Sequence, residues 1–105
     1  MPGRYATEFL GHDLCGADVI TSRFSRPHGY AFAPGQWFTL ALETAEGRQS
    51  RTFSHCSAPG DAYLELTTRL SGSAYKNALL ALEPGTSAEI AGPARSTSAS
   101  FEPSR

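Results

Sequence analysis

Cysteine is scarce in this chain: two residues, Cys15 and Cys56, among 105. Two thiols cannot build the multi-bridge framework by which small secreted domains replace a hydrophobic core. Their spacing also fits no common metal-ligand pattern. Both read as free, partly buried thiols, and no metal site is expected. Charge of either sign is thin as well. Nine Lys and Arg against ten Asp and Glu leave a formal net charge of -1. That excludes the broad basic surface that neutralises a nucleic-acid backbone, while leaving room for a local anion site. No stretch approaches the roughly 18 apolar residues of a membrane helix. The opening "MPGRYATEFLGHD" lacks the apolar core of a secretory signal. The expectation is a cytoplasmic protein that meets neither nucleic acid nor membrane.

What the chain does contain is the material of one small domain. Hydrophobic residues make up 40% and charged residues 18%. A chain of this size buries roughly 60–70% of its unfolded surface, enough for a core without staples. Short strands dominate the pattern. "RYATEFLGHDL", "ADVITSRFS", "WFTLALE" and "RTFSHCS" predict four of them, rich in β-branched and aromatic residues. "RPHGYAFAPGQ" supplies turn residues before the third, and "TAEGRQS" reads as a polar loop before the fourth. In "AYLELTTRL" the alternation predicts Leu66, Thr68 and Leu70 on one face and Glu65, Thr67 and Arg69 on the other.

The period then changes. "SGSAYKNALLALEPG" predicts a helix, capped by Ser71 or Ser73, with Tyr75, Leu79, Leu80 and Leu82 facing inward. Glu83-Pro84-Gly85 ends it, and "TSAEIAGP" predicts a last strand. The fold class is therefore all-β: a six-stranded antiparallel Greek-key barrel with one helix capping an end. Residues 1–93 form the barrel domain. Residues 94–105 are small, polar and aperiodic, and read as a flexible tail.

The chemistry concentrates in "RTFS". Alternation puts Arg51 and Phe53 on one face, an arrangement suited to a ligand with an anionic part and a flat part. The turn "LSGSAY" adds Gly72 and two serines at a helix start, where free backbone N–H groups favour an anion. Together these two elements ask for a phosphate-bearing partner. His12 and His28 read as solvated loop residues, and Asp61 as a turn residue. His55 and Cys56, directly after Ser54, read either as strand packing or as groups beside the ligand.

The chain resembles, from about Glu8 to Pro93, the flavin-binding barrel of the ferredoxin–NADP reductase-like oxidoreductases. Arg51-Thr52-Phe53-Ser54 is similar to that family's Arg-x-Tyr-Ser element. "YAFAPGQWFTL", "SAPGDAYLELTTR" and "GSAYKNALLALEPGTSAEIAGP" match its other segments in order. The resemblance implies FAD, with FMN the lesser alternative. It assigns Arg51 to the flavin phosphates, Phe53 to the flavin face, and Ser54 to a catalytic position near N5. Because Ser54 should point away from Phe53, the strand is expected to bend there. Thr67, Thr68 and Arg69 match the stretch whose backbone lines the flavin edge. Gly72, Ser73 and Ala74 match the turn that meets the pyrophosphate.

The family's activity is hydride transfer from NAD(P)H to flavin, with electrons leaving singly to an iron–sulfur or haem partner. Only 12 residues follow Pro93, and no glycine-rich dinucleotide fingerprint occurs. The resemblance therefore implies a reductase whose nicotinamide site is supplied by a separate domain. The alternative is a non-catalytic flavin- or partner-binding barrel, or a remnant of a longer reductase.

Overall fold

A computed structural model of the chain describes residues 3–95. Six strands and one short helix occur in the order β1 (Gly3–Leu14), β2 (Val19–Ser25), β3 (Gln36–Thr44), β4 (Gly47–Ser54), β5 (Tyr63–Arg69), α1 (Ala74–Leu80) and β6 (Ser87–Arg95). All strand pairs are antiparallel, and the sheet runs β4-β3-β6-β1-β2-β5. β6 thus lies between β1 and β3, a Greek-key crossover. The six strands curl into a half-barrel that brings the two end strands, β4 and β5, toward each other. The all-β expectation holds.

The curl has local causes. β1 pairs with β6 over Gly3–Glu8 and with β2 from Phe9 onward, so one strand serves two parts of the sheet. A bulge between Phe9 and Gly11 makes the change of partner, leaving Leu10 47% exposed. A second irregularity, between Trp37 and Thr39 on β3, faces Gly92 of β6. Gly92 has φ 148°, and a Cβ there would meet the Trp37 carbonyl at 3.1 Å and Phe38 Cα at 3.3 Å. Only glycine allows the two strands to approach so closely.

The core is what alternation predicts. Phe38, Leu40 and Leu42 of β3, Leu64 and Leu66 of β5, and Ile90 of β6 are buried. α1 plugs this interior with Tyr75 and Leu79, both 0% exposed, and the Tyr75 hydroxyl donates to the Leu40 carbonyl at 2.7 Å. Burying each such side chain contributes roughly 1.5–3 kcal/mol.

Four expectations need correction. The predicted loop "TAEGRQS" is the hairpin itself. Thr44 pairs with Gly47, Ala45-Glu46 form the turn, and β4 starts at Gly47 (φ 101°), not at Arg51. Strand pairing also stops at Ser54 and does not reach Ser57. The helix is shorter than its pattern. Pro84 disfavours helical geometry at Glu83, and α1 ends at Leu80, with the Ala81 amide donating to the Asn77 carbonyl at 3.1 Å. Leu80, expected inward, is 47% exposed. Finally, β6 continues to Arg95, two residues past the end of the predicted last strand at Pro93. The remainder of the predicted tail lies outside the described residues.

Candidate functional site

The predicted site residues come from the two end strands of the sheet and the turn into α1. β4 supplies Arg51 to Ser54, β5 supplies Thr67 to Arg69, and the turn into α1 supplies Gly72, Ser73 and Ala74. β4 and β5 are not ladder neighbours. Beyond the end of β4, the Cys56 amide donates to the Glu65 carbonyl of β5 at 2.8 Å, joining the two sides.

Register decides which side chains share a face. Arg51 lies opposite Leu40 and Phe53 opposite Phe38, and both partners are buried, so Arg51 and Phe53 emerge on the inner face. They meet a common platform. The Arg51 guanidinium carbon lies 5.1 Å from the centre of the Tyr75 ring, and the Phe53 and Tyr75 centroids are 6.2 Å apart. Thr52 and Ser54 emerge on the other face, opposite Thr39 and Trp37, and the Thr52 hydroxyl is bound to that of Thr39 at 3.0 Å. The register is regular through Ser54, so the bend expected there is not present within the ladder. Phe53 and Ser54 therefore lie on opposite faces of an end strand whose outer edge carries no ladder partner among the described residues.

On β5 the pattern repeats. Thr68 pairs with buried Ile20 and faces inward, whereas Thr67 and Arg69 face outward, and the Thr67 hydroxyl is held 2.9 Å from that of Thr21. The turn after β5 contains Gly72 at φ 79°. Ser73 is the N-cap: its hydroxyl accepts from the Lys76 amide at 3.1 Å. With seven residues, α1 is too short for its dipole to weigh much.

Two neighbours join the site that its sequence pattern does not announce. Tyr75 reads in sequence as plain core, yet its ring also carries Arg51. Lys76 is the other. Its ammonium reaches back to the Arg69 carbonyl at 2.7 Å. Burial, and after it the charge of Arg51, lowers the Lys76 pKa. An anion near both cations would relieve that repulsion. The one signal in the sequence is spacing: Lys76 stands three residues after its capping serine.

Among the described residues Arg51 itself donates only to the adjacent Ser50 carbonyl, at 2.9 Å. Among the described residues Arg4, Arg23 and Arg48 each face a carboxylate, and Arg51 and Lys76 do not. Neither of two surface clefts, of about 340 and 250 Å³, lies at the seam. Both include Arg48 and Glu89, which are already paired with each other.

His55 is packed among aromatic rings and hydrogen-bonded at both ring nitrogens. Its ring stacks on Phe32 at 3.9 Å and 7°, and lies 4.8 Å from Phe38. Nδ1–H donates to the Gln36 carbonyl at 2.7 Å, and Nε2 lies 2.8 Å from the Tyr30 hydroxyl. Burial lowers its pKa, opposed by the Gln36 hydrogen bond and assisted by Arg26. Cys56 and Cys15 are free but exposed, contrary to the expected partial burial. His12 is not a solvated loop residue. It sits on β1, half-buried, with Nδ1 2.8 Å from the Ser22 hydroxyl. His28 is exposed in a turn, and Asp61 closes the 58–61 turn by accepting from the Ala58 amide at 2.8 Å.

No protein-family profile and no curated protein sequence matches the chain. Solved structures do. A ferredoxin NADP+ reductase from Neisseria gonorrhoeae with bound FAD and NADP superposes with a TM-score of 0.74 at 22% identity, over 85% of this chain and 38% of that one. The cytochrome b5 reductase domain of Ulva prolifera nitrate reductase gives 0.72 at 22%, over 87% and 41%. The flavohem-like FAD/NAD binding domain of a Vibrio cholerae nitric oxide dioxygenase gives 0.74 at 16%, over 86% and 43%. The fold is thus that of the FAD-binding domains of ferredoxin–NADP reductase-like proteins. The chain spans about two-fifths of the length of these structures.

Proposed function

We propose that this chain binds a flavin nucleotide, FAD, along the β4–β5 seam and acts as the flavin-holding part of an electron-transfer reductase. The observation that carries the reading is the pairing of Arg51 and Phe53 on one face, with a second cation, Lys76, close by and no carboxylate partner for either cation among the described residues. Such a group fits a diphosphate joined to a flat ring. FAD is favoured over FMN because one of the structural neighbours holds bound FAD and another is an FAD/NAD binding domain.

On this reading the residues divide the labour. Arg51 and Lys76 offset the phosphate charge, and the Gly72–Ala74 turn brings backbone close to it. Phe53, backed by Tyr75 and Phe38, offers one ring face for stacking. Thr68 and the backbone of Thr67 and Arg69 line the facing edge, and Thr52 stiffens β4 through Thr39. Ser54 stands at the end of the ladder as the hydroxyl donor for the reacting edge. The flavin supplies the hydride and one-electron chemistry when bound. The nicotinamide site, and an iron–sulfur or haem acceptor, belong to other domains or chains.

The test is reconstitution. Purified full-length protein is titrated with FAD and with FMN, with flavin absorbance and fluorescence as the readouts. Saturable binding with FAD preferred is expected. A protein that is colourless as isolated and takes up neither flavin overturns the reading, and leaves a partner-binding barrel without flavin.

A further inference from the structure

Ser54 ends the β4 ladder, and the residues beyond it lack ladder bonds to prevent fraying. They are nonetheless held. The His55 amide and the His55 Nδ1–H both donate to one acceptor, the Gln36 carbonyl, at 3.2 and 2.7 Å. A histidine whose Nδ1 donates to a carbonyl, and which is neutral, must accept at Nε2. The Tyr30 hydroxyl, 2.8 Å away on a side chain only 2% exposed, is the donor. The ring is clamped between Phe32 and Phe38. Phe38 in turn packs on Phe53, at 6.2 Å between centroids.

The segment that holds His55 is itself tied down. Arg26 Nε donates to the Tyr30 carbonyl at 2.9 Å, and its Nη1 donates to the carbonyls of Pro59 and Asp61. One arginine therefore braces the loop before β3 and the loop after β4, and His55 stands where the two meet. The Gln36 side chain adds a turn bond to the Ala33 amide at 2.7 Å.

We propose that His55 is a positioning residue of the seam: in its neutral Nδ1-protonated tautomer it pins the end of β4, fixing Phe53 and Ser54 relative to the free edge. The role rests on the flavin reading for its purpose, and on the hydrogen bonds alone for its mechanism. It is also sensitive to protons. A second proton puts a donor on Nε2 and forces the Tyr30 hydroxyl to turn into an acceptor. The charged and titratable groups around the ring are Arg26, Tyr30, Tyr5 behind Tyr30, and Cys56 next in the chain. None offers a carboxylate to the imidazolium. Acid therefore disturbs the Tyr30 end of the pin, while the bond to Gln36, which favours the protonated ring, persists.

Two measurements test this, one without flavin. In the full chain labelled with 15N, the ring nitrogens of His55 are expected to report the Nδ1–H tautomer at about pH 7.5, titrating below an ordinary histidine. Tyr30→Phe, which keeps the ring and removes the donor, is expected to release the titration upward. A freely averaging pair of tautomers, or a titration unmoved by Tyr30→Phe, overturns the mechanism.

In the FAD-loaded protein, His55→Phe keeps the stack and loses both side-chain hydrogen bonds. It is expected to weaken FAD binding roughly two- to tenfold and to change the visible circular dichroism of the flavin. His55→Asn restores a donor toward Gln36 and is expected to recover most of both. Normal FAD binding and an unchanged spectrum in His55→Phe overturn the positioning role. Failure of the wild type to bind FAD at all overturns the purpose but not the pin. The pin is then judged by amide exchange at His55 and Cys56, expected to quicken in His55→Phe while that of Leu66 holds. Unchanged exchange removes it.

Discussion

Arg48 and Arg51 lie three residues apart on the same strand and lead opposite lives. Arg48 is bracketed by Glu43 at 3.1 Å and by Glu89 on β6, on the rim of the larger surface cleft. Its charge is spent within the fold. Arg51 packs its guanidinium against Tyr75, donates to one backbone carbonyl, and has Lys76 for company. Surface ion pairs contribute little to stability, whereas a cation left without a counter-charge keeps its capacity for an anion. The cleft at Arg48 is lined by charges already paired, and the seam at Arg51 is the chemically open one.

The comparison is broken most severely through the platform. Tyr75→Ala removes the fully buried ring under Arg51 and beside Phe53, and is expected to destabilise the fold by about 3–5 kcal/mol in urea unfolding. A loss below about 1 kcal/mol would mean that α1 does not plug the interior. Next in size, Arg51→Ala is expected to weaken FAD binding by about 1.5–3 kcal/mol with the unfolding midpoint little changed. Unchanged affinity removes Arg51 from the site.

The pH dependence comes third. His55 is held below its ordinary pKa, so the unfolded chain takes up its proton first as pH falls. Its contribution to stability is full above about 6.5, the unfolded value, and is lost as pH drops through the depressed folded value. Thermal melting between about pH 8 and pH 5 should decline more steeply in the wild type than in His55→Asn, and identical slopes would count against the depressed pKa. The smallest effect belongs to Arg48→Ala. With Arg48 half exposed, stability is expected to change by about 0–1 kcal/mol and FAD affinity not at all. A loss of binding equal to that of Arg51→Ala would erase the distinction between the two arginines.

The fold is legible in the sequence wherever polarity and burial agree. Leu64 and Leu66 against Glu65 and Thr67 announce a half-buried strand, and the structure keeps that alternation. The start of β4 is hidden because an end strand needs no apolar stripe. Its inner positions are Gln49 and Arg51, so "GRQS" imitates a loop. Leucines at 79, 80 and 82 imitate a longer helix, since a spacing pattern cannot reveal that Pro84 stops it early. For the site, the shared face of Arg51 and Phe53 is visible in the alternation. Tyr75 under the arginine, Lys76 beside it and the Tyr30–His55–Gln36 chain bring together residues far apart in sequence or on different elements. The packing of α1 and the pairing of β3 with β4 make them neighbours.

The curl of the sheet has a kinetic meaning. One backbone bond, Cys56 to Glu65, joins the rims that flank the site, and the rest of the margin is unladdered. A ligand arriving there breaks no strand pairing. Its association is expected to proceed at the ordinary docking rate of ~10⁵–10⁷ M⁻¹s⁻¹, with no slow opening step, and stopped-flow mixing with FAD should show a rate that stays proportional to concentration.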